Sequence, residues 1–301
     1  MSNNHHKNVA TRQSLSWRSP VPAFFVLLWS TGFIVAKFGL PYAPPLTFLI
    51  LRCGAVLLVL LPIVLACRAP WPRGKIGHIA FAGVLLQAGY LTGVWCAIKL
   101  GMPAGITALI VGMQPILTAA CAPLIGERVR ALQWLGLVFG LAGVALVVHA
   151  KMSLNGLSLP AIGFCVLALL CITAGTMYQR RYCPQFDLRT GTVIQFGATV
   201  AVLLPLALHF EQLDPALSAV QWTPHFLGAL LWSVLALSIG AIFLLFTLLR
   251  RSAATEVTSL MYLTPPTTAL MAWLMFGEAF TLAGAAGMAL AVLGVFCVVK
   301  K

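Results

Sequence analysis

The chain has 301 residues, 60% of them hydrophobic and only 8% charged. A soluble domain carries about 25% charged residues, so a water-soluble globule is excluded and a membrane protein is indicated. The net charge of +13 is no nucleic-acid footprint, because the basic residues are dispersed among short segments between apolar runs.

In chain order, residues 1–20 form a polar tail whose adjacent His5 and His6 read as tail rather than as metal ligands. Ten apolar runs follow, at 21–37, 46–66, 77–97, 103–124, 131–149, 158–179, 189–209, 225–248, 254–275 and 281–299. Each is about 20 residues, the length of one bilayer crossing. With the N-terminal tail inside, alternate segments hold 15 of the 19 basic residues: Lys7, Arg12, Arg18, then Arg68, Arg73, Lys75, then Arg128, Arg130, then Arg180, Arg181, Arg189, then Arg250, Arg251, and finally Lys300, Lys301. Cytoplasmic loops carry such an excess, so both termini are expected in the cytoplasm. A cleavable signal peptide is not expected, since losing the first run would break this alternation. The eight cysteines show no CxxC and no metal-site spacing.

Polar groups in hydrocarbon are costly and need a partner or a task. Run 1 carries Trp29, Ser30 and Thr31, then Lys37; run 2 carries Arg52. Lys37 and Arg52 together suit a carboxylate-binding mouth. Alternatively Lys37 snorkels to headgroups and Arg52 makes an internal structural contact. In run 3, Gln87 and Tyr90 share one face at helical spacing, which suits a small amphipathic solute; an interhelical bond through Gln87 and an interface-belt place for Trp95 are the alternatives. Gln114 and Pro115 in run 4, and Tyr262, Thr264, Pro265 and Pro266 in run 9, mark bends that serve as hinges or as static kinks. Thr176 lies in run 6. Glu256 in run 9 is a candidate for a coupling proton or a counter-charge, or else an acid at a helix start. Glu127 and Glu278 stand just before the next run, where a carboxylate suits the following helix's N-terminus; both read as structural.

The passage from Gly126 to Val148 returns at Gly277–Val299 with an offset of 151, and Pro115 falls on Pro266. In the earlier runs Gly32, Gly54 and Pro62 fall on Gly175, Gly197 and Pro205 at an offset of 143, which places an insertion at Glu211–Pro224. The predicted fold is therefore all-α and integral to the membrane: ten transmembrane helices as two five-helix repeats, 21–150 and 158–301. Five is odd, so the second repeat is inverted, which puts a substrate site near mid-membrane between the repeats.

The run Trp29-Ser30, Lys37, Pro45, Arg52 resembles the start of an EamA repeat. The run Pro115, Gly126-Glu127, Gln133, Gly136, Gly143-Val144 resembles its end, repeated as Pro266, Gly277-Glu278, Gly287, Gly294-Val295. The chain is thus similar to bacterial ten-helix transporters of the drug/metabolite transporter superfamily. Gln195 stands where the first half has Arg52, so a role for that arginine need not be symmetric. The resemblance implies a plasma-membrane (bacterial inner-membrane) protein exporting small metabolites, commonly amino acids and related compounds, without ATP. It ranks Trp29, Gln87, Tyr90, Gln114, Thr176 and Tyr262 as candidates for the cavity, to which the polar reading of the spans adds Ser30 and Arg52 as candidate substrate contacts. No cofactor, metal or nucleic-acid partner is implied. A membrane enzyme is disfavoured by the lack of HExxH, GxSxG or an intramembrane histidine pair. A lipid or lipid-linked carrier translocase is the alternative.

Overall fold

The computed structural model of the chain describes residues 20–121, 131–155, 158–183, 185–241, 244, 263–278 and 282–299. Helix is the only regular structure among them: α1 Val21–Gly39, α2 Pro45–Ala66, α3 Ile76–Lys99, α4 Ala104–Val111, α5 Gln114–Cys121, α6 Ala131–Asn155, α7 Leu159–Tyr182, α8 Leu188–Phe210, α9 Pro224–Gly240, α10 Thr264–Phe276 and α11 Leu282–Val299. Five of these, α1, α2, α3, α7 and α8, are long and apolar enough to cross a bilayer.

The starts of the helices are written in the sequence. A proline stands in the first turn of α1, α2, α7, α9 and α10, where its missing N–H costs no bond. Ser158, Asp187 and Thr223 cap α7, α8 and α9 by accepting from backbone N–H groups. Gly277 ends α10 at φ 65°, the left-handed conformation that glycine adopts freely.

Two helices depart from α geometry in the same way. α3 turns into π-helix at Val84–Gly89, and α9 does so at Trp232–Gly240, each after an eight-residue α-helical start. The spacing argument that placed Gln87 and Tyr90 on one face assumed regular α-helix, and α3 is not regular there. Its Tyr90 N–H reaches back five residues to Leu85 O.

The helices pack in a definite set of pairs. α6 lies along α11, α2 along α8 and α4 along α10; α3 contacts α7 and α8; α1 contacts α9 and α10; α2 contacts α9; and α4 and α5 contact α7. Glycine sets the closest approach. A Cβ on Gly143 would lie 2.5 Å from Gly287 O, and one on Gly294 would lie 2.5 Å from Gly136 O. The small residues of α6 and α11 thus bring two backbones into contact. Between α4 and α5 the ladder breaks at Gly112 and Met113, because Pro115 has no N–H to continue it. A Cβ on Gly112 would come 2.9 Å from Pro265 Cγ, so the break in one helix abuts the proline start of the other.

The main core gathers α1, α2, α3 and α9 around Phe48, whose ring centroid lies 4.3 Å from that of Trp95 and 5.5 Å from that of Phe226. Trp95 is buried at 1% exposure, so the interface-belt place considered for it is corrected. The ring packs inward because Phe48 and Phe226 offer it an aromatic wall.

Candidate functional site

Arg52 lies about 10 Å along α2 from its first residue, at 1.5 Å per residue. It is 8% exposed. Its Nε donates to Ser238 Oγ at 3.1 Å, and Ser238 Oγ in turn donates to Ser233 O at 2.9 Å, five residues back in the π segment of α9. The π turn therefore fixes the serine that meets the arginine. Tyr90, the first residue after the π segment of α3, lies within electrostatic range of the guanidinium. Arg52 so interacts with residues in or next to both π segments. Half-buried Gln87 belongs to the first of them and makes no side-chain hydrogen bond to a described residue.

The remaining candidates fall into separate places. Gln114 Nε2 donates to Thr176 Oγ1 at 2.9 Å, joining α5 to α7. Trp29 is half-buried with its ring 5.6 Å from Phe25. Ser30 is fully buried against α10 and donates to Val26 O at 2.8 Å. Beside them Thr31 Oγ1 accepts from Trp232 Nε1 at 2.9 Å, linking α1 to the second π segment. Pro265 and Pro266 lie in the first turn of α10, and Pro115 in that of α5. Tyr262, Glu256 and Glu127 lie outside the described residues.

Lys37 has a partner of its own. Lys37 Nζ meets Glu278 Oε1 at 2.6 Å and lies over the Phe276 ring. The same Glu278 oxygen accepts from Ala104 N–H, the first residue of α4, at 3.1 Å. Among the described residues Glu278 serves the start of α4. The loop after α10 carries it there because α10 packs along α4. Glu211 plays a similar part, accepting from the backbone N–H groups of Leu46 and Thr47, each at 2.8 Å, to hold the start of α2.

Sequence reading missed Ser238, Trp232 and two histidines. His78, at the start of α3, stacks on Tyr182 at 5.2 Å and 6°, with Nδ1 2.7 Å from Tyr178 Oη at the end of α7. His225, at the start of α9, stacks on Tyr42 just beyond α1 at 6.0 Å and 8°. The only signal was position: each histidine lies in the first turn of a helix that later turns π.

A charged, nearly buried arginine held by a serine of one π segment, with a phenol at the end of the other within electrostatic range, can hold a small polar solute. The residues on which this rests lie in a region matched by known proteins. The model for the EamA-like transporter family matches residues 23–149 and 159–300. The chain belongs to this family. This EamA chain is 30% identical over 291 residues to the uncharacterized transporter YvbV of Bacillus subtilis, covering 93% of this chain and 90% of that one. It is 28% identical to the uncharacterized inner membrane transporter YedA of Escherichia coli, covering 95% and 92%. Over 140 residues it is 32% identical to a probable amino-acid metabolite efflux pump of Salmonella typhimurium, which covers 46% of this chain and 44% of the pump. A solved crystal structure matches the fold at a TM-score of 0.61 and 22% identity, over 92% of this chain and 94% of that one. The EamA protein is a multi-pass membrane transporter of the drug/metabolite transporter superfamily.

Proposed function

We propose that this EamA protein is a plasma-membrane secondary transporter that exports small metabolites, such as amino acids or related compounds. It works by alternating access through a cavity between two inverted five-helix repeats, 21–150 and 158–301, with both termini in the cytoplasm. The observation that carries this reading is the pattern of the main helix pairs between the two halves. When α1, α2, α3, α4 with α5, and α6 are exchanged for α7, α8, α9, α10 and α11, α1–α9 becomes α7–α3. Likewise α1–α10 becomes α7 against α4 and α5, and α2–α9 becomes α8–α3; α2–α8, α4–α10 and α6–α11 return to themselves. A pseudo-two-fold axis between the halves produces such a set, and substrate sites of inverted-repeat carriers lie on that axis. The two π segments, the two prolines at Pro62 and Pro205, and the two histidine–tyrosine stacks obey the same exchange.

Export of amino-acid metabolites is supported by the partial likeness to the Salmonella efflux pump. The test is counterflow in proteoliposomes preloaded with a mixture of L-amino acids. Accumulation of external labelled amino acid is expected. Scrambling of labelled lipid without solute exchange would instead establish the lipid-translocase alternative and sink the proposal.

A further inference from the structure

We propose that Arg52 is a carboxylate receptor, so that the transported solute enters the site by its carboxylate and carries one negative charge at that end. The inference rests on the transporter reading and names the chemistry its substrate must have.

The first ground is a charge with no counter-ion among the described residues. An ionised group taken out of water costs several kcal/mol unless it is paired. Of the chain's six acids, the four within the described residues are all engaged elsewhere. Glu278 holds Lys37 and Ala104, Glu211 holds the start of α2, Asp187 holds Arg189 and the start of α8, and Asp214 holds Ser218. Among the described residues Arg52 has one hydrogen-bond partner, the neutral Ser238.

The second ground is the state of its remaining donors. Ser238 takes Nε only. Among the described residues, the fully buried side-chain atoms without a partner are Thr92 Oγ1, Ser233 Oγ and Thr264 Oγ1. The two terminal nitrogens of Arg52 are not among them and have no hydrogen bond to a described residue, and Arg52 keeps 8% exposure. Two parallel N–H groups at the end of a planar cation match the two oxygens of a carboxylate. The Tyr90 hydroxyl, within electrostatic range of the guanidinium and without a hydrogen bond to a described residue, is a further donor.

The third ground is placement. Ser238 and Tyr90 approach from α9 and α3, at the π turns where those helices leave regular geometry. Such turns recur at functional sites. The corresponding place in the second half has no charge: Gln195 Nε2 donates to Gln179 Oε1 at 2.8 Å and is satisfied within the protein. One receptor for one anion is therefore built into one side of the axis. A single fixed cation favours a monoanion. A phosphate monoester, close to two negative charges, would leave net charge in the hydrocarbon region.

The experiment uses the full chain in proteoliposomes, with counterflow of labelled mixed L-amino acids as the readout. Unlabelled amino acids and their α-carboxamides compete. In the wild type the carboxamides are expected to compete about tenfold more weakly or worse, a factor worth about 1.4 kcal/mol. Arg52→Gln should erase that difference, Arg52→Lys should leave part of it, and Ser238→Ala should narrow it. Equal competition by acids and carboxamides in the wild type overturns the proposal while transport stands. So does an undiminished difference in Arg52→Gln or, where that variant fails to insert, in both Arg52→Lys and Ser238→Ala. Absence of amino-acid counterflow removes the functional reading and this inference together.

Discussion

Glu278 shares one carboxylate oxygen between the Lys37 ammonium and the Ala104 backbone N–H. Glu278→Ala strands both donors, whereas Glu278→Gln keeps an acceptor for the N–H and loses only the charge. Glu278→Ala is expected to lower stability by about 1–3 kcal/mol and Glu278→Gln by less, as read from thermal melting in detergent; equal melts would place the pair at the solvated margin. Asp187 offers a second test. It caps α8, and its bonds from the Arg189 side chain hold its carboxyl below the ordinary value near 3.8. A depressed folded-state pKa contributes stability above the unfolded value and loses it as pH falls through the folded one. The stability difference between wild type and Asp187→Asn should therefore shrink as pH drops below about 4. A difference independent of pH over that range would mean that the cap, not the charge, is what Asp187 supplies. Ser238 shows what residue-level reading of a sequence overlooks. A serine in an apolar run signals nothing until a π turn aims it at an arginine 186 positions away.

At the scale of the helix, glycines divide by what stands beside them. Gly143 and Gly294 face backbone atoms of the partner helix at 2.5 Å, while Gly54 and Gly197 have nothing within 4 Å of an added Cβ. Gly143→Ala and Gly294→Ala should cost about 1–3 kcal/mol through forced separation of α6 and α11. Gly54→Ala and Gly197→Ala should be neutral or gain up to about 1 kcal/mol, because alanine is the better helix former. Melting curves of the four variants separate the two classes. The sequence made this seam visible, since the small residues recur in both copies of the Gly-Glu passage. The helix starts were visible as well, in their prolines and capping residues. The π segments were not. Apolar periodicity over 84–89 and 232–240 reads as ordinary helix, and the extra residue in each turn is accommodated by neighbours that lie far away in sequence. Trp95 was misplaced for the same reason, as only the folded chain brings Phe48 and Phe226 to it.

For the molecule as a whole, the orientation is open to direct measurement. Cys67, at the end of α2, is the one exposed cysteine among the described residues. With the N-terminus in the cytoplasm the Cys67 segment faces inward. An impermeant maleimide should label Cys67 in inside-out vesicles and not in intact cells, and Cys67→Ser should abolish the label; labelling of intact cells would reverse the proposed topology. The charge of the loops is the ground for this orientation; the ties between helix ends were not legible in the sequence, because each tie joins segments remote in the chain. Those ties are unequal. At one end of the α2–α8 pair, Glu211 binds two backbone N–H groups and the Thr47 hydroxyl; at the other, Thr190 Oγ1 gives a single bond to Pro70 O. Two copies of one unit would by themselves have no preferred resting state. On the proposed orientation the firmer fastening of this pair is on the outer face, which in the proposed exporter would favour a resting state open towards the cytoplasm, where its cargo is made.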